Sequence, residues 1–272
     1  MPYRRAPLVL LLLLPLIVIG FWQGYFSRLG EAPVAFHVHA LTAGLWVLLL
    51  IVQSWAIHRG RIRLHRLAGK GSFVIFPFFL VGGLMVLQTM AVRTGIGDHP
   101  FMDLYGAGLG AFDTLTIAAF AAFYYAALRN RRNVQLHARY MLATPLLLLA
   151  PIFTRLAPTL GLISVQDLHA FAPVIHLSNA LTLLIAMGLF ATAPRHGRPF
   201  LMAAMVVVGQ SLLFIWPGGA LWWREIYVQL AHVPVSIVVG AGLMLGVAVV
   251  ILAMRPLPDR PVGEHEPVAE LS

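Results

Sequence analysis

Long apolar runs broken by short polar punctuation recur along this chain, and within each run the apolar residues are continuous, not alternating. A helix crossing a bilayer needs roughly 20 apolar residues at about 1.5 Å rise each. Eight runs meet that requirement, at 7–26, 34–57, 71–92, 107–128, 140–157, 170–193, 199–217 and 228–254. A membrane barrel would instead show strands of ~10 residues with alternating polarity, a pattern the chain lacks. The expectation is an all-α polytopic helix bundle of about eight transmembrane helices over residues 1–254. Residues 255–272, which contain Pro and Glu and offer no apolar face, are expected to form a disordered cytoplasmic tail. The first run, after "MPYRR", is longer than a signal-peptide core and no small-x-small cleavage site follows it, so it is read as a retained first helix.

Composition agrees. With 60% hydrophobic and 11% charged residues among 272, the chain has too little polar surface to cover a water-soluble globule. There is no cysteine, which excludes disulfides, thiolate metal sites and cysteine nucleophiles. Soluble-enzyme signatures such as GxSxG, HExxH, GxGxxG and the Walker loop are also missing.

The charges set an orientation. Of 19 Arg and Lys residues, 15 fall in the termini and in the connections "HRGRIRLHRLAGK", "RNRRNVQLHAR" and "PRHGRP"; only Arg28, Arg93, Arg155 and Arg224 lie on the other side. The positive-inside rule therefore predicts both termini in the cytoplasm of a bacterial inner-membrane protein. The net charge of +9 reads as topology and attraction to anionic membrane lipids, with no nucleic acid as partner.

Candidate chemistry lies in one layer near the outer face. The second, sixth and eighth runs enter from that side, and each carries histidine early: His37 and His39, then His176, then His232. The fourth run carries Asp113 at a similar depth, roughly 5–10 Å into the hydrocarbon. Intramembrane ionisable groups are costly and usually face a functional interior. His39 shares a helical stripe with Thr42, Trp46 and Gln53, while His37 points about 200° away along a small-residue stripe. His39, His176 and His232 are the candidate metal or haem ligands, with His37 in support. Asp113 is the candidate catalytic base, and Arg155 is expected to neutralise Asp113 or a haem propionate. Trp216, Trp222 and Trp223 read as an interfacial belt. On the inner side His58, His65, His137 and His196 lie among arginines, either as parts of solvated basic loops or as a second cofactor level. "RLHRLAGKG" and "QLHARYMLA" hint at a duplicated helix pair.

At these residues a resemblance appears. "FHVHALTAGLWVLLLIVQSWAIHRGRIRLHRLAGK" with "VQLHARYMLATPLLLLAPIFTRL" resembles the module of bacterial His-rich multipass membrane proteins, distantly similar to cytochrome-oxidase assembly and haem-handling factors. The similarity spans the second to fifth runs and implies haem or copper handling. The layout of histidines is also similar to that of haem A synthase, but Asp113 stands where that family has a histidine, so its activity is not carried over.

Three functional expectations follow. The first is a metal- or haem-binding protein using iron, copper or zinc in electron transfer or oxidase maturation, with a respiratory complex or a second copy as partner. The second is a zinc-dependent intramembrane hydrolase with Asp113 as base. The third is a non-catalytic subunit or small-molecule transporter whose polar residues line a path.

Overall fold

The computed structural model describes residues 3–97, 99–164 and 166–256; Asp98 and nearly all of the expected tail fall outside them. Among the described residues there are ten α-helices and no strand: α1 (Ala6–Gly20), α2 (Val34–His58), α3 (Ile62–Ile96), α4 (Pro100–Arg129), α5 (Val134–Ala143), α6 (Leu146–Thr159), α7 (Phe171–Thr192), α8 (Arg198–Ile215), α9 (Leu221–Gln229) and α10 (Val235–Met254). Seven helical segments are long and apolar enough to cross a membrane, α5 and α6 counting as one, and α1 is shorter. The chain is a multi-pass membrane protein. Exposed residues such as Leu177, Leu184, Met244 and Ile251 make faces that water would not tolerate and lipid solvates.

Local chemistry fixes several ends. Gly97, at φ +69°, closes α3 in the left-handed conformation that glycine adopts without strain. Asn133 caps α5, its Oδ1 accepting from the backbone N–H groups of Gln135 and Leu136 at 3.1 and 3.2 Å. α3 begins well before its apolar run because "IRLHRLAGK" is a good helix-forming sequence, so the helix extends into the basic layer. Hydropathy registers only the part in hydrocarbon.

Two elements depart from expectation. The run at 140–157 is part of two helices, because Pro145 has no N–H to continue α5 and the chain turns at Thr144 and Pro145 before α6. The stretch "PGGALWWREIY" between the seventh and eighth runs holds most of α9, a short helix lying on α3 and α4.

Helix neighbours show what the break does. α5 packs against α4 and α8, whereas α6 packs against α1 and α7. The wall then runs α1, α2, α3, α4, α8, α7, α6 and back to α1, with α10 outside it against α3 and α4. At the arginine-rich end α5 lies against the inner wall. Beyond the break the crossing continues as α6 against α1 and α7.

Aromatic rings pack the core where α2, α3 and α4 meet. Trp46, fully buried on α2, meets Phe120 and Tyr124 edge-on with centroids 5.1 Å away. Phe79 lies 4.3 Å from Phe120, and Phe76 4.3 Å from Tyr124. The Trp46 indole N–H donates to Thr144 Oγ1 at 3.0 Å, and that hydroxyl donates to the Met141 carbonyl at 2.8 Å, so the helix break is tied to the plug. A buried hydrogen bond that loses one partner costs about 1–3 kcal/mol. Trp46→Phe and Thr144→Val should each lower unfolding stability in detergent by at least that amount, with the double variant well short of additive. Full additivity would show that the bond contributes nothing.

Candidate functional site

The plug gives a ruler for the layer beyond it. His39 lies seven residues before Trp46 on α2, and Asp113 seven before Phe120 on α4. Seven residues are two turns, which return a side chain to nearly the same face about 10 Å further along. Since Trp46 and Phe120 touch, helical spacing puts His39 and Asp113 one layer further towards the opposite end, with the His39 ring against Phe79 of α3. Arg155 lies on α6, which packs against α1 and α7.

None of the three is bonded to another. The single ion pair among the described residues joins Arg224 to Asp103 at 3.3 Å, so Asp113 and Arg155 form no direct bridge. Arg155 is solvent-exposed in the protein alone; its Nη1 donates to the Pro151 carbonyl at 3.2 Å, and its plane lies 4.6 Å from the Phe21 ring centroid. Asp113 is half-buried and receives no hydrogen bond from any described residue. His39 Nδ1 is buried without a partner, its ring 5.7 Å from Phe79. The expected pairing of Arg155 with Asp113 is not a direct ion pair among the described residues.

The backbone at His39 is held tightly. α3 approaches α2 at Gly82, where an added Cβ would stand 2.8 Å from His39 Cα and 2.9 Å from its nitrogen. Thr42 Oγ1 donates to the Val38 carbonyl at 2.7 Å, filling the next turn.

Other expected site residues go elsewhere. His37 shares a hydrogen bond of 2.9 Å with the Tyr25 hydroxyl, and burial raises the Tyr25 pKa, which keeps the phenol protonated. His176 sits in the seam between α7 and α8, edge-on to Phe214 at 5.7 Å. His232 is not inside the last helix: Pro234 starts α10 at Val235, and His232 lies exposed in the preceding turn. No three His, Asp or Glu side chains among the described residues stand close enough to hold one metal ion, so His39, His176 and His232 are not brought together. Trp216 and Trp222 are exposed as a belt requires, whereas Trp223 docks its N–H on the Ala107 carbonyl at 2.8 Å.

On the arginine-rich side the paired motif has a structural counterpart. His137 donates Nδ1–H to the Ala127 carbonyl at 2.8 Å, and His65 Nδ1 faces the Gln53 carbonyl at 3.4 Å. Each histidine begins a helix and ties back to the one before. His58 does the same within α2, to the Ser54 carbonyl at 2.7 Å, and leaves its buried Nε2 unpartnered.

Sequence reading missed Gln210 and its partner Thr116. Gln210 on α8, fully buried, donates to Thr116 Oγ1 at 2.8 Å, and Thr116 lies one turn from Asp113. Asn179 donates to Ser211 Oγ at 2.7 Å. Gln210 Oε1 and Asn179 Oδ1 have no partner. The signal was a lone amide in "FLMAAMVVVGQSLLFI".

No protein-family model, curated protein or solved structure matches the chain, so the residues themselves carry the reading.

The contact at Gly82 is testable. Gly82→Ala should cost about 1–3 kcal/mol in thermal unfolding, because two backbones must separate at His39. Gly44→Ala, on the same pair of helices with nothing within 4 Å of its Cβ position, should be neutral or stabilising. Equal effects would contradict the close approach.

Proposed function

We propose that this chain is a non-catalytic membrane protein of the solute-binding or transport class, which takes a zwitterionic group into an intramembrane chamber from the face opposite its arginines. The group is either a free solute or a head group. The observation that carries the reading is that Asp113, Arg155 and His39 all lie on membrane-spanning helices with no bonds among them, and that His39 Nδ1 is buried without a partner. An unpaired carboxylate and an unpaired guanidinium in hydrocarbon are expensive, by several kcal/mol, unless water or a ligand solvates them. A zwitterion resolves both at once. Its anion would meet Arg155, its ammonium Asp113, and a donor on it His39 Nδ1. The polar layer at Thr116, Gln210 and Asn179 supports a hydrated interior. The charge asymmetry supports a bacterial cytoplasmic membrane as the location, with the chamber facing outwards.

The metal or haem centre stands as a second reading, and the unpartnered Nδ1 of His39 favours it. It needs more ligands than the described residues bring together. A Soret band or stoichiometric metal in the purified protein, lost in His39→Ala, would support it.

Thermal unfolding of the detergent-solubilised protein tests the first reading. A bound ligand at about 100 times its Kd adds about 2.7 kcal/mol of stability. Among phosphoethanolamine, taurine, glycine, acetate and ethylamine, one or more of the three zwitterions should raise Tm by several degrees, and the singly charged ions should not. Asp113→Asn and Arg155→Gln should each remove the shift. A chain indifferent to every zwitterion, or equally stabilised in both variants, would contradict the proposal.

A further inference from the structure

Four helices share one apolar cluster, in which Phe112 of α4, Ala150 of α6, Ile175 of α7 and Phe214 of α8 pack together. α4 and α7 run towards the arginine-rich side, and α8 starts from it. Four residues further towards that side, α4 carries Thr116, α7 carries Asn179 and α8 carries Gln210. Four residues are about one turn, or about 6 Å, on nearly the same face, so these three form the next layer. The hydrogen bonds agree. Gln210 Nε2 donates to Thr116 Oγ1 at 2.8 Å, and Asn179 Nδ2 donates to the oxygen of Ser211, next to Gln210, at 2.7 Å. Further on along the same helices, Phe120, Ala186 and Ala203 belong to the main apolar core. A polar stratum thus lies between two apolar ones.

Three hydroxyl protons of this stratum are committed to the backbone. Thr116 donates to the Phe112 carbonyl at 2.8 Å, so it can only accept from Gln210, and the amide must turn its nitrogen there and its oxygen away. Ser178 and Thr182, buried beside Asn179, donate to the Val174 and Ser178 carbonyls at 2.8 and 2.9 Å. What remains is an excess of lone pairs. Gln210 is 0% exposed and Asn179 3%, and neither Gln210 Oε1 nor Asn179 Oδ1 has a partner among the described residues. Buried oxygens in that state call for a donor or an ion. Thr116 and Ser211 are partly exposed, so the layer is not closed on every side.

Water would answer both oxygens, but it adds lone pairs of its own to a place that already has too many. An alkali cation adds none, and neutral carbonyl-type oxygens are what replaces its hydration shell inside a membrane protein. A divalent ion would ask for several carboxylates, whereas α4 offers Asp113 alone, one turn outwards of Thr116. We propose that Gln210 Oε1 and Asn179 Oδ1 are ligands of an alkali cation held between α4, α7 and α8, with Asp113 as its countercharge. The site goes beyond the chamber reading and does not rest on it, since no zwitterion is needed to fill it.

Thermal unfolding of the full chain in detergent, at constant ionic strength and with no other solute, is the test. Sodium or potassium chloride should raise Tm by a few degrees over choline chloride, and the rise should saturate with concentration. The two salts together show which alkali ion the layer takes. Gln210→Leu and Asn179→Leu should each abolish the rise, and if one of them does not fold the other decides. Gln210→Glu keeps an oxygen at the same reach and should retain the rise, which an amide of structural importance alone would not do. Equal Tm in all three salts would overturn the proposal and leave the two oxygens to buried water. A rise that survives in either leucine variant, or is lost in Gln210→Glu, would overturn it as well.

Discussion

The hydrogen bond from the Trp46 indole to Thr144 joins the two features on which the rest of the bundle depends. In hydrocarbon every backbone polar group must be satisfied within the protein, so a proline that interrupts a crossing helix is tolerated only where neighbours serve the freed groups. Leu147 and Leu148 donate to the carbonyls of Thr144 and Pro145, which tightens the turn, and Trp46 occupies the Thr144 hydroxyl from across the core. The same indole is the centre of the aromatic plug. One side chain thus both excuses the break and seals the half of the bundle towards the arginines. Beyond the break α6 leans on α1 and α7, where Arg155 lies over the Phe21 ring.

The separation of charge beyond the break follows from that frame. Asp113 is fixed by α4, His39 by the backbone approach at Gly82, and Arg155 by its hold on Phe21 and the Pro151 carbonyl. Rigid anchors keep opposite charges from collapsing into a bridge, and a site in which a bridge has not formed keeps its electrostatic affinity for a ligand. Arg224 shows the contrast. It does bond its carboxylate, Asp103, and also the Thr94 carbonyl at 3.0 Å, and the result is a staple that fastens α9 over α3 and α4.

Much of the architecture was legible because membrane helices announce themselves by length and apolarity. The runs at 34–57 and 170–193 match α2 and α7 to within a residue or two. Where the reading slipped, the cause was local. Pro145 and Pro234 move boundaries that hydropathy averages over, and the second of these put His232 outside the last helix. α9 escaped because a nine-residue amphipathic helix is too short to register as a span. At the site, a common depth for His39 and Asp113 could be read from position in the runs, but the packing of His39 against Phe79 and Gly82 of α3 could not. Depth is a property of one helix, whereas the face a residue shares with its neighbour depends on which helices touch. The three histidines part for both reasons: Pro234 leaves His232 exposed in the turn before α10, and His176 packs against Phe214 in the seam of α7 and α8.

A wet chamber ending at an aromatic seal is the central claim, and thiol accessibility measures it directly. The chain has no cysteine, so a single one can be introduced without background. Asp113→Cys and Phe120→Cys lie on one face of α4, two turns apart and on either side of the proposed boundary. In sealed vesicles, a charged, membrane-impermeant methanethiosulfonate applied from the face opposite the arginines should modify the first and leave the second untouched. Protection at position 113, or equal reaction at both positions, would contradict the account.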